Sequence, residues 1–205
     1  MLFRSVTANN IGGLTVLNSY FNQLCAVSLP FQGRQHYMHA FDLSNPVMRP
    51  GFEDYIEPVM ALIRAARATH GVAYMTVDEK LIAAGMSQRR PRPHVDGCFM
   101  PHANFWGHSR PDWLHYCNDI GHGPIRRMAV IVSASVAGCR AWNGLYEGEP
   151  ANDGDLSHIS TQLVDGEILA PNIGYLLSTD CVHESLIFTQ ETKRTFLRIA
   201  LPLQK

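Results

Sequence analysis

The sequence lacks a strong charge of either sign. Its 205 residues carry a formal net charge of -1, and only 17% of them are Asp, Glu, Lys or Arg. Nucleic-acid binders present a basic face that attracts phosphates, so nucleic acid is not an expected partner. The basic stretch Gln88–Pro93 is the one local exception, and a short run of this kind is most often a solvated surface.

Long apolar runs are also missing. No stretch approaches the roughly 18 residues that a membrane-spanning helix needs, so we expect no membrane partner. The first residues, Met1 to Thr7, do not follow the charged, apolar, small-residue order of a secretion signal. The expected location is the cytoplasm.

Closely spaced cysteines are absent as well. The five cysteines are scattered and never form a C-x-x-C pair: Cys25, Cys98, Cys117, Cys139 and Cys181. An odd number at wide spacing indicates reduced thiols in a cytoplasmic protein rather than a disulfide framework.

The length and the 46% hydrophobic content predict one domain with a sizeable core. We expect residues 1–71 to form an N-terminal extension and residues 72–203 to form the main body. Apolar residues recur at spacings of three and four near the end of the extension, which predicts an amphipathic helix at about 55–69. Pro58 fits only a first turn, and Gly71 is placed to end the helix.

After Gly71 the sequence changes to short β-branched or aromatic runs separated by turn residues. This texture predicts a mainly β fold with supporting helices, built as a sandwich or barrel. A long stretch, 97–127, has little periodicity and is expected to be a functional loop, with Trp106 and Trp113 in a lid or wall. The predicted strands cover 72–77, 128–136, 158–164, 175–179, 186–188 and 195–201.

Chemistry is indicated by the triplet His94-Val95-Asp96 and the distant His183. Residues i and i+2 of a strand lie on the same face, so His94 and Asp96 can bind one ion together. A second imidazole from another strand completes a set of two histidines and one carboxylate. Such a set leaves half of an octahedral Fe(II) open for other ligands. The sequence therefore predicts a metal site made of His94, Asp96 and His183, which are also the predicted catalytic residues.

A cationic side chain that could bind an anionic ligand follows the second histidine in the sequence. Arg194 comes eleven residues after His183. By strand alternation Arg194 and Arg198 share one face, so both guanidinium groups are expected to point into the same cavity. There they could hold the carboxylate of a bound oxo-acid.

In the order and spacing of these residues, the chain resembles the Fe(II)/2-oxoglutarate-dependent oxygenases over about residues 72–203. The resemblance implies a double-stranded β-helix, or jelly roll, with Fe(II), 2-oxoglutarate and O2 as cofactor and co-substrates. It implies that His94, Asp96 and His183 bind iron and that Arg194 binds the distal carboxylate of 2-oxoglutarate. Arg198 would assist Arg194 or bind an anionic substrate, and Tyr74 and Thr76 are candidate accessory contacts. The implied reaction is hydroxylation or desaturation of a small molecule.

Other interpretations of the sequence remain open. One is a cupin-like metal-dependent dioxygenase or isomerase, although such sites usually use three histidines and a glutamate. Another is a β-sandwich binding protein without enzymatic activity. A zinc site within the long loop is a weaker alternative, since its histidines lack the tight spacing of structural zinc sites: His102, His108, His115 and His122. His102 and Asn104 are instead candidates for substrate contact. The sequence does not indicate the substrate or the oligomeric state.

Overall fold

Antiparallel β-strands make up most of the regular structure. A computed structural model describes residues 16–96, 129–151, 154–178 and 180–201. One α-helix, α1 (Ile56–Ala66), follows a 3-10 turn at Glu53–Tyr55, and a second 3-10 helix spans Ser157–Gln162. The strands are β1 (Val16–Ser19), β2 (Phe21–Ala26), β3 (Gln35–Asp42), β4 (Val72–Ile82), β5 (Ala129–Ala134), β6 (Cys139–Trp142), β7 (Gly144–Glu147), β8 (Glu167–Ile168), β9 (Ile173–Leu177), β10 (Val182–Ser185) and β11 (Thr192–Leu201).

These strands form three sheets. The largest has the order β2-β9-β5-β11-β4-β3, the second has the order β10-β6-β8, and the third pairs β1 with β7. The prediction of a mainly β fold is confirmed. Strands β2 and β3, from the predicted N-terminal extension, are the outer strands of the largest sheet.

Strand β11 lies between two parts of the hydrophobic core, because its successive side chains point to opposite faces of the sheet. Leu197, Ile199 and Leu201 pack in the cluster that includes the buried face of α1. Phe196 points the other way, into a cluster with Ala141 of β6. Residues of β11 with even numbers therefore face the second sheet, and this face carries the predicted arginines.

Helix α1 confirms the predicted amphipathic helix but ends earlier. Pro58 lies in the first turn, where its missing N–H costs little. The helix stops because Arg67 adopts the left-handed conformation, with φ of 56°, and its N–H bonds back to the last turn. Gly71, the predicted stop, lies in the following turn with φ of 96°.

Two predicted strands are wrong. Residues 158–164 fall mostly in the 3-10 helix, because Asp155 accepts hydrogen bonds from the backbone and hydroxyl of Ser157 and starts a turn. Residues 186–188 follow β10 and are not a strand, because their backbone N–H groups donate to two different loops. Leu186 N–H donates to Gly138, and Phe188 N–H donates to Met86.

Among the residues that the structure describes, no helix is both long and apolar enough to cross a membrane.

Candidate metal and anion site

The two predicted histidine ligands are direct backbone partners. His94 N–H donates to His183 O at 2.9 Å, and His183 N–H donates to His94 O at 3.0 Å. His94 belongs to an isolated bridge rather than a full strand, and the bridge extends β10 at the edge of the second sheet. The imidazole ring centres lie 4.4 Å apart. Backbone pairing alone therefore brings the two rings together.

Both imidazoles are oriented by backbone carbonyl groups. His94 Nδ1 lies 2.6 Å from Arg92 O, and His183 Nδ1 lies 2.9 Å from Cys181 O. A carbonyl oxygen only accepts, so each Nδ1 carries the hydrogen and each Nε2 keeps its lone pair when the ring is neutral. This is the arrangement in which histidines bind metal ions.

The surroundings favour the neutral form of both rings. Burial, together with the charges of His183 and Arg90, lowers the pKa of His94 to about 2. Burial also lowers the pKa of His183, although the neighbouring Asp96 carboxylate opposes the effect. Both rings are therefore unprotonated at Nε2 near neutral pH.

Asp96 lies between His183 and Arg198. Its Oδ1 is 4.0 Å from His183 Nε2, and its Oδ2 accepts a hydrogen bond of 2.9 Å from Arg198 Nε. Burial alone would raise the pKa of Asp96, but electrostatic attraction, chiefly to the Arg198 guanidinium, holds the pKa well below its usual range. Asp96 is therefore an ionised carboxylate in a site with two neutral imidazoles.

The three side chains do not yet enclose an ion. Within the described ranges, no group of three or more His, Cys, Asp or Glu side chains is arranged as a metal site. Asp96 shares its carboxylate with Arg198. The donor types nevertheless fit a divalent metal, because two imidazole nitrogens and a carboxylate oxygen are ligands that such ions use, and Oδ1 of Asp96 lies 4.0 Å from Nε2 of His183.

Arg194 occupies a different part of the same face. It aligns with Lys80 of β4, whereas Arg198 aligns with Thr76, so Phe196 lies between the two arginines. The Arg194 side chain is only 1% exposed and borders a small cavity. The cavity is also lined by Val132, Ala134, Cys139, Tyr175 and Phe196.

The accessory candidates lie on β4. Thr76 is directly opposite Arg198, and Tyr74 is opposite Ala200. Tyr74 is fully buried and Thr76 is 2% exposed. Both therefore lie on the strand face that carries the arginines.

Two further residues near this face, Gln88 and Arg90, come from the basic stretch 88–93. The sequence alone predicts a solvated surface for that stretch. Gln88 is buried and bonds to Arg194. The charge of Arg90 lowers the pKa of His94, His183 and Asp96. Only the position of both residues shortly before His94 indicated in the sequence that they could lie near the site. The predicted loop 97–127, with His102, Asn104, Trp106 and Trp113, lies outside the described residues.

Comparison with known proteins finds no family model, no curated protein and no solved structure that this chain matches.

Proposed function

We propose that the protein is an Fe(II)- and 2-oxoglutarate-dependent oxygenase that hydroxylates or desaturates a small molecule. The observation that carries the proposal is the pairing of His94 with His183. Backbone hydrogen bonds join the two residues, a carbonyl oxygen accepts from each Nδ1, and Oδ1 of the ionised Asp96 lies 4.0 Å from Nε2 of His183.

The strand order supports a double-stranded β-helix core. Strands β4, β5, β9 and β11 lie in the largest sheet, while the His94 bridge, β6, β8 and β10 lie in the second. Along the chain, these segments alternate between the two sheets, with one exception. Strands β6 and β8 both lie in the second sheet, and the strand between them in the chain, β7, belongs to the third sheet. In this arrangement the histidine segments meet at one edge of the second sheet, facing β11.

In the proposed site, His94 Nε2, His183 Nε2 and Asp96 Oδ1 would hold the metal. Bound iron would supply the oxygen chemistry, while the protein supplies orientation and excludes side reactions. Arg198 would keep Asp96 ionised and limit it to one free oxygen. The carbonyls of Arg92 and Cys181 would fix the ring orientations, as outer partners of metal-binding histidines do.

Arg194 would bind the distal carboxylate of 2-oxoglutarate. A buried guanidinium next to an apolar cavity gives a carboxylate a charge-assisted hydrogen bond, which contributes about 1.5–3 kcal/mol. Thr76, opposite Arg198, would lie at the metal end of the path to this anchor, and Tyr74, opposite Ala200, would contact the metal site from the side away from Arg194. Because Arg198 already bonds to Asp96, we assign it to the metal site rather than to a second substrate contact.

The test is anaerobic addition of Fe(II) and 2-oxoglutarate to the full chain. We expect a weak visible charge-transfer band when the oxo-acid chelates iron, followed by oxo-acid consumption when air is admitted. His94→Ala should abolish the band, because it removes one of three ligands. His70→Ala is the matched control, since His70 is exposed on the turn before β4.

A colourless mixture without oxo-acid consumption would overturn the proposal and favour a β-sandwich binding protein. Consumption of dioxygen without oxo-acid would favour the cupin-like alternative.

A further inference from the structure

Gln88 is a buried amide that joins β4 to β11. Its Oε1 accepts a hydrogen bond from Arg194 Nη1. Its Nε2 donates to the backbone carbonyl of Asp78 at 2.6 Å and lies 3.5 Å from the carbonyl of Arg194. The side chain is thus fixed at both ends, and it fixes one side of the Arg194 guanidinium.

Other neutral groups fix the rest of that guanidinium. Arg194 Nε donates to Val136 O at 2.8 Å. The rings of Phe188 and Phe196 lie 5.8 Å and 5.7 Å from its central carbon. A methyl group on Gly138 would lie 2.5 Å from Cζ of Phe188 and 3.2 Å from Nε of Arg194, so the packing of this ring on the guanidinium favours glycine there.

No carboxylate within the described ranges lies at ion-pair distance from Arg194. Asp78, whose charge acts on the Arg194 pKa, is ion-paired with Lys80 at 3.2 Å. Burial lowers the pKa of Arg194 to about 10, which still leaves the group charged at neutral pH. Among the described residues, only neutral groups therefore hydrogen-bond to this buried cation, and Asp78 acts on it from a longer distance.

Such an arrangement is costly, because the buried guanidinium loses its hydration and no described carboxylate contacts it directly. Glutamate has nearly the same size as glutamine and would make a stronger bond to Arg194. It would also neutralise the charge. Glutamine orients the guanidinium and leaves its charge available to an anion.

We propose that Gln88 is a positioning residue that orients Arg194 for a carboxylate ligand and, by being neutral, preserves its charge for that ligand. This inference rests on the proposed function and identifies what makes its anchor selective for anions. Gln88 also lies six residues before His94. One chain segment thus supports the anchor and leads directly into the metal-binding pair.

The test compares Gln88→Glu with the parent in equilibrium binding of 2-oxoglutarate to the full chain. Titrations are done by calorimetry with Mn(II) present, so that no turnover occurs. We expect the dissociation constant to rise by about 10–100-fold, because the introduced carboxylate would compete with the ligand for the same guanidinium. Gln88→Glu gains an ion pair with Arg194 but loses the amide that donates to the carbonyl of Asp78, so the thermal unfolding midpoint is measured beside that of Gln88→Met, which loses the same donor without adding a charge. A purely structural role for Gln88 would weaken binding in both variants in proportion to their loss of stability, whereas the proposed role predicts a much larger loss of binding in Gln88→Glu.

The matched control is Gln190→Glu, which adds the same charge at an exposed position between β10 and β11. It should leave the dissociation constant unchanged. Gln88→Met keeps the length without the acceptor, and we expect it to weaken binding by a smaller factor than Gln88→Glu. If Gln88→Glu does not fold, parent-like binding by Gln88→Met overturns the inference.

Arg194→Met separates this inference from the proposed function. If Arg194→Met loses 2-oxoglutarate binding while Gln88→Glu binds like the parent, the role of Gln88 is wrong and the anchor stands. If both variants bind 2-oxoglutarate as tightly as the parent does, the assignment of Arg194 as the anchor is itself wrong. If the parent does not bind 2-oxoglutarate at all, the proposed function fails and the inference fails with it.

Discussion

Replacement of Glu79 by leucine is expected to lower the free energy of unfolding by about 3–5 kcal/mol, the usual cost of removing one partner of a buried ion pair. Glu79 Oε1 accepts from Tyr55 OH at 2.7 Å and from Arg34 Nη2 at 2.9 Å. Its Oε2 accepts from the backbone N–H groups of Gln32 and Arg34 at 2.5 Å and 2.8 Å. Leucine would leave the Tyr55 hydroxyl and the two backbone N–H groups without this acceptor, and Arg34 would keep only its more exposed carboxylate partner, Asp54.

The cost is large because the carboxylate joins three parts of the fold. It lies on β4, Arg34 precedes β3, and Tyr55 lies at the start of α1. Arg34 also pairs with Asp54, but that ion pair is more exposed. Chemical denaturation of Glu79→Leu and of the exposed control Glu191→Leu measures the effect. A loss below about 1 kcal/mol, the range of ordinary surface changes, would contradict the expectation.

The same group predicts a dependence of stability on pH. Burial would raise the pKa of Glu79, but hydrogen bonds from Arg34, Tyr55 and Gln32 outweigh it, and the pKa lies below its ordinary value of 4.5. A carboxylate with a lowered folded-state pKa stabilises the protein above the unfolded pKa, and this contribution is lost as pH falls through the folded-state value. Glu79→Gln should therefore be less stable than the parent at pH 7, and the difference should shrink below about pH 4.5. Chemical denaturation of the parent and of Glu79→Gln at several pH values tests both the stability difference at pH 7 and its decrease at low pH.

The second large effect is expected where α1 meets β9. Leu62 is fully buried, and a methyl group added at Gly174 would lie 2.0 Å from its Cδ2. Leu62→Ala should cost about 2–5 kcal/mol, because it leaves a cavity in the core. Gly174→Ala should cost about 1–3 kcal/mol, because a buried leucine has little room to move.

The two changes should partly compensate. The alanine methyl at position 174 would occupy space that Leu62→Ala vacates, so the double variant should be less destabilised than the sum of the single variants. A double-mutant cycle by chemical denaturation measures this coupling. Additive costs would show that the two side chains do not share the space that the structure gives them. Leu156→Ala combined with Gly174→Ala is the control pair, since Leu156 is equally buried but packs in a different cluster.

Local patterns in the sequence predicted the elements that depend on local forces. The spacing of apolar residues located α1, and alternation placed Arg194 and Arg198 on one face of β11. The helix end was predicted less well, because a non-glycine residue, Arg67, took the left-handed conformation that usually favours glycine. The error at 158–164 has a similar cause, since the turn made by Asp155 overrides the β-branched composition.

The sequence indicated which residues of the candidate site would lie close together but not how they would pair. The H-x-D triplet and His183 identified the candidates, whereas the bond between Asp96 and Arg198 depends on tertiary register. The role of Gln88 could not be predicted from its residue type, because that role comes from a long-range contact with Arg194, and only the position of Gln88 shortly before His94 pointed to it. A glutamine beside arginines looks like a solvated surface until the fold buries it.

The reciprocal backbone pairing of His94 and His183 has a consequence for assembly of the centre. The polypeptide, and not the ion, brings the two rings side by side, so the entropy of bringing these ligands together is lost during folding. In the proposed site, an arriving ion would meet two imidazoles that the backbone pairing and the carbonyls of Arg92 and Cys181 already hold. The apoprotein should accordingly keep its tertiary structure, in contrast to small zinc domains that unfold when a chelator removes the ion.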